Sequence, residues 1–141
     1  MADPLGTLLR LRRLAVDQAR RDLADCLRQE AEASEAVREL AAEVERETDV
    51  VCQSPGEDSL VENFAAWLRR ARADQDAAAK KLLDAELQTQ EARAVLTASR
   101  SAVETVEAMI DRRAAEQEAE VGRVEQKAVD EAAGRSRMRQ G

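Results

Sequence analysis

The chain has 141 residues and a mass of 15.5 kDa, enough for a single domain, and it carries a net charge of −7 from 22 basic and 29 acidic side chains. It lacks histidine and tyrosine, has only Phe64 and Trp67 as aromatic residues, and alanine supplies 28 of its 62 hydrophobic residues. A buried Leu or Phe contributes about 1.5–3 kcal/mol and alanine far less, so the composition argues against a compact core, a globular enzyme and any site that needs an imidazole.

In chain order, Asp3 reads as an N-cap and Pro4 as the first helical position of a helix from about residue 5 to about residue 53. Its opening stretch, Leu5 to Val16, is broken by Arg10, Arg12 and Arg13, so it is neither an export signal nor a membrane span. It carries the heptad of the residues that follow and reads as partner surface, with a membrane-surface amphipathic helix as the alternative. Ser54-Pro55-Gly56-Glu57-Asp58 is the one strong interior break and predicts a turn over about 54–59. Ser59 and Glu62 have the spacing of a capping box. They open a second helix from about 60 to about 133, followed by a basic tail at 134–141.

Steps of seven show which faces pair. In the first helix they give Leu9, Val16, Leu23, Glu30, Val37, Val44 and Val51, joined by Ala19, Cys26, Ala33 and Leu40. In the second they give Val61, Leu68, Gln75, Leu82, Thr89, Leu96, Val103 and Ile110, joined by Phe64, Ala71, Ala78, Ala85, Ala92, Ser99 and Val106. Two such seams and a short turn predict an all-α fold, a long antiparallel two-helix coiled-coil hairpin with small alanines at the interface. At about 1.5 Å per residue the helices reach roughly 74 and 111 Å, so the second overhangs, over about Met109 to Ala133. There the apolar content thins to a stripe of Ala114, Val121, Val124, Ala128 and Val129, too weak for a lone helix and suited to another protein's surface; a solvated, frayed end is the alternative.

Charge is uneven as well. Residues 1–21 hold five arginines against Asp3 and Asp17, and Arg135, Arg137 and Arg139 follow near the end, whereas residues 30–62 carry eleven acidic side chains against Arg38 and Arg46. Unlike ends suggest two different partners, or simply solvated faces. The negative balance argues against nucleic acid. Cys26 and Cys52 are roughly 39 Å apart on one helix and read as free buried thiols of a reducing cytoplasm, with a redox role as the alternative. No phosphate-binding glycine loop occurs, and pairs such as Glu43/Glu47 or Glu116/Glu120 on an exposed coil have no reason to become catalytic. No catalytic, cofactor or metal site is expected. Trp67 beside Phe64 is either a binding hot spot or a cap over the turn.

The run Arg123-Val124-Glu125-Gln126-Lys127-Ala128-Val129-Asp130-Glu131-Ala132-Ala133-Gly134-Arg135 resembles the C-terminal signature of the flagellar export protein FliJ family, Arg-x-acidic-Gln-Lys-x-x-Asp-Glu-x-Ala-x-Arg. The register of Leu5, Leu8, Leu11, Val16, Leu23, Val37 and Leu40 is similar to that family too. The resemblance implies a non-enzymatic, cytoplasmic component of the bacterial flagellar type III export apparatus, serving motility and chemotaxis and peripherally associated with the inner face of the cell membrane without inserting into it. Its implied partners are the export ATPase hexamer, the cytoplasmic part of the export gate membrane protein, and export chaperones. Arg123, Glu125, Gln126, Lys127, Asp130, Glu131 and Arg135, with the basic Arg10, Arg12 and Arg13, would contact the ATPase ring. Phe64, Leu68 and Ala71 match the family's gate-contacting pattern early in the second helix, with Leu40 opposite and Trp67 adjacent; Glu43 and Glu47 stand where the family can carry aromatic residues. A general secretion chaperone or adaptor is the runner-up.

Overall fold

The computed structural model describes residues 3–54 and 56–140. Pro55, expected to enforce the break, and Gly141, the last residue of the expected tail, lie outside the described residues. Among those described, the elements are two helices, α1 (Pro4–Cys52, 49 residues) and α2 (Asp58–Gln140, 83 residues).

The start of α1 is capped as its sequence predicts. The Leu5 amide donates to Asp3 Oδ1 at 3.1 Å and the Thr7 amide to the Asp3 carbonyl at 3.1 Å. Pro4, which has no N–H to satisfy, fills the first position. At the other end the Gln53 amide reaches Asp49 O at 3.0 Å and the Ser54 amide reaches Val51 O at 3.2 Å, tightening the last turn. Gly56 then takes φ +95°, the left-handed conformation that glycine alone adopts without steric penalty.

Both boundaries of α2 differ from the expected ones. The Val61 amide donates to the Glu57 carbonyl at 3.2 Å, so Glu57 occupies the N-cap position. Ser59 already lies inside the first turn, which removes it as the cap of a capping box. Acidic Glu57 and Asp58 sit at the positive end of the helix dipole, where negative charge is stabilising. At the far end, helix continues past residue 133 to Gln140. Gly134 stays within the right-handed helix, and Arg137 and Arg139 in the last turn complement the dipole's negative end.

The chain divides into two compact units. One is Val16–Ala98, an antiparallel helical hairpin. Moving along α1 from Gln29, Ala33 and Ala36 to Leu40 and Val44, the facing α2 residues fall from Gln88, Ala85 and Lys81 to Ala71 and Trp67. Val16, Ala19, Ala33, Ala71, Ala85, Thr89 and Leu96 are buried along this seam. Leu23, Cys26, Glu30, Val37, Leu40, Val44, Val51, Phe64, Leu68, Gln75, Ala78, Leu82 and Ala92 are half-buried. The buried Thr89 hydroxyl donates to Ala85 O at 3.0 Å, so it adds no unmet polar group. Val61, expected on the seam, is 52% exposed. The seam enters α2 through half-buried Leu60 and Phe64 instead, one residue off the strict heptad in the opening turn.

The second unit joins the residues up to Ala15 with those from Ser99 onward. Leu5 and Val106 are buried there, flanked by half-buried Leu8, Leu9, Ala102, Val103 and Ile110. Arg13 Nη2 meets Glu107 Oε1 at 3.5 Å between the helices; both side chains are exposed, so this pair contributes no more than about 1 kcal/mol. Beyond Ile110 every described residue to Gln140 is exposed. The overhang therefore begins at Asp111 rather than Met109 and runs roughly 45 Å at about 1.5 Å per residue.

Two stability comparisons follow from this geometry. Gly56→Ala forces a Cβ into a left-handed conformation and should cost about 1–2 kcal/mol in denaturant unfolding, although nothing lies within 4 Å of that Cβ. Gly122→Ala and Gly134→Ala, in open helix, should instead add about 1 kcal/mol of local helix stability each, read as slower amide exchange in 111–140. Leu96→Ala, at a seam position 8% exposed, should cost at least about 2 kcal/mol, whereas Leu83→Ala, 56% exposed, should stay within about 0.5 kcal/mol.

Candidate functional site

Two surfaces stand out, one in each unit. The first is the bare helical face of 111–140. A helix that buries nothing against its own chain gains little beyond its local hydrogen bonds and side-chain pairs. Those pairs are present: Arg123 Nη2 donates to Glu120 Oε2 at 2.7 Å and Gln126 Nε2 donates to Asp130 Oδ1 at 3.0 Å. All of the signature residues are exposed; Arg123, Gln126 and Asp130 are in addition engaged in pairs within α2, whereas among the described residues Glu125, Lys127, Glu131 and Arg135 are not. Val121, Val124 and Val129 of the expected stripe are 56%, 59% and 61% exposed. Ala114, Gln117, Glu118, Val121, Gly122 and Glu125 shape a shallow hollow, with Gly122 leaving a notch where a side chain would stand. That notch went unread in the sequence, where Gly122 is an isolated glycine with no turn signal around it.

Arg10, Arg12 and Arg13 are exposed on α1 in the same unit. Arg13 is engaged with Glu107, which precedes Arg123 on α2 by roughly 24 Å of helix rise. The basic cluster and the signature run are accordingly two separate patches.

The second surface lies in the hairpin unit. Phe64 and Trp67 stack at 5.8 Å between ring centroids with 26° between planes, an offset arrangement that holds the indole ring in place. Both are half-buried. Leu40, Glu43 and Val44 of α1 and Trp67, Arg70, Ala71 and Asp74 of α2 enclose a groove of about 150 Å³. Three of the five residues expected at a gate contact, Leu40, Trp67 and Ala71, come together here. Phe64 stacks on Trp67 without lining the groove itself, and Leu68 is half-buried in the seam. Arg70 and Asp74 were not singled out from sequence, because their place on the groove depends on the register between two helices rather than on any local pattern.

Among the described residues no group of His, Cys, Asp or Glu could hold a metal ion, and no helix is long and apolar enough to cross a membrane. Cys26 is half-buried and Cys52 exposed, both as free thiols.

Comparison with known proteins gives one result that covers the whole chain. A search of curated proteins finds no match, and a search of solved structures finds none either. The profile of the family described as Flagellar FliJ protein, in contrast, matches residues 1–141. With two helices of unequal length, a heptad seam between them and the signature run on exposed helix, the chain belongs to the FliJ family, a component of the flagellar protein export apparatus.

Proposed function

We propose that this chain is a non-enzymatic stalk and coupling component that binds the hexameric export ATPase through its bare helical end and the export gate through the hairpin unit, promoting ATPase assembly and export. The observation that carries this reading is the exposure of α2 from Asp111 to Gln140, a helix segment whose sparse apolar face is covered by none of the described residues. A ring lumen lined by complementary side chains would supply the burial that the segment lacks. Arg10, Arg12 and Arg13 are available to acidic loops of such a ring, and Glu125, Lys127, Glu131 and Arg135 to its polar lining. Leu40, Phe64, Trp67, Leu68 and Ala71 form the surface offered to the cytoplasmic part of the gate. In this reading the protein is cytoplasmic, lies against the inner membrane face only through that gate, and escorts export chaperones.

A second reading, a general secretion chaperone or adaptor, draws on Leu83, Leu87 and Val95, which face solvent at 51–56% exposure in the hairpin unit. It predicts client capture without any ATPase.

ATP hydrolysis by the cognate export ATPase, measured with and without the chain, is the deciding experiment. Stimulation is expected with the full chain and is expected to disappear when residues from Gly122 onward are removed, with the circular-dichroism melt of the hairpin retained. Unchanged stimulation by the truncated chain overturns the ring contact. Reversing charge at Arg10, Arg12 and Arg13 should weaken stimulation by an amount that shrinks as salt rises from about 0.1 to 1 M, over which the Debye length falls from about 10 to 3 Å.

A further inference from the structure

The groove beside Trp67 carries carboxylates that have no ion-pair partner among the described residues. Glu39, Glu43 and Glu47 follow one another at intervals of four on α1, so they form a row on one helix face. Like charges at that spacing oppose the helix. Among the described residues none of the three takes part in an ion pair, although such pairs form at Arg20–Asp17, Arg28–Asp25 and Arg38–Glu35 on the same helix. Asp74 adds a carboxylate from α2, and among the described residues Arg70 is the one cation lining the groove. The Trp67 side chain, stacked on Phe64, lines the same space.

An aromatic face flanked by unpaired carboxylates is the environment that attracts a guanidinium or ammonium group, through the ring quadrupole and through charge together. We propose that this groove takes an arginine or lysine side chain from a basic, amphipathic segment of the partner protein, its cation between Glu43 and Asp74 and its methylene stem against Trp67 and Leu40. This rests on the reading of the hairpin unit as a protein-docking surface and adds the chemistry of what docks. Where an apolar or aromatic lining would select an apolar segment, Glu43 selects a cationic one.

Trp67 is the only tryptophan of the chain, so its fluorescence in the full-length protein reports occupancy directly. The probe is a short amphipathic peptide with arginines on one face, beside its counterpart with glutamine at those places. The arginine peptide should change Trp67 emission saturably, and the glutamine peptide should not. The double variant Glu43→Gln/Asp74→Asn should weaken the arginine peptide roughly fivefold to tenfold, and Arg70→Gln should tighten it. All three positions lie off the buried seam, so the thermal melt serves as the folding control. Equal binding of the two peptides, or equal affinity of the wild type and the double variant, overturns the proposal.

Capture of the cytoplasmic part of the export gate separates this idea from the reading beneath it. If wild type and double variant capture that fragment alike, the cation is wrong and the gate contact stands. If the double variant loses the arginine peptide while neither chain captures the fragment, the cation is right and that partner is wrong.

Discussion

Everything in the hairpin unit depends on one narrow contact, a line of small and medium apolar side chains shared by two antiparallel helix segments. Four of its buried residues are alanines, Ala19, Ala33, Ala71 and Ala85. They contribute little hydrophobic free energy individually, but they let the backbones approach closely enough for Val16, Leu82 and Leu96 to meet the facing helix. No large side chain anywhere in the described chain is fully buried. Stability is therefore distributed along the seam, which the glycine turn at Gly56 closes at one end.

That distribution explains why functional surface and structural surface are hard to separate here. In a globular protein a binding residue on the surface and a core residue are different positions. On a two-helix seam the same residue does both, as Leu40, Trp67 and Ala71 do in bordering the groove while holding the helices together. The segment 111–140 is free of this double duty, because none of the described residues packs against it.

The architecture was largely readable from residue spacing. The heptad positions of α1 are buried or half-buried from Leu9 to Val51, and those of α2 from Leu68 to Ile110. Where the reading missed, local competition explains it. Ser59 has the right partner spacing for a cap, but Glu57 and Asp58 placed acidic side chains closer to the positive helix end, and the helix began there. The second helix is expected to end near residue 133, yet with no proline beyond that point and arginines in the last turn it continues to Gln140. The candidate site was legible only in part. The signature run and the aromatic pair are contiguous or nearly so in sequence, whereas the meeting of Glu43 with Asp74 and Arg70 is a product of interhelix register, which a single-chain pattern does not encode.

The brief turn between Cys52 and Asp58 has a bearing on registry. A repeat of seven is self-similar, so displacing one helix along the other by a single repeat, about 10 Å, would bring apolar positions opposite apolar positions again. Half-buried Glu30 and Gln75 and the buried Thr89 interrupt that sameness only weakly. It is the covalent link that singles out one alignment from several near-equivalent ones. Severing the backbone at Gly56 would thus leave two strands still able to adhere but free to slide, like a vernier scale with its clamp undone.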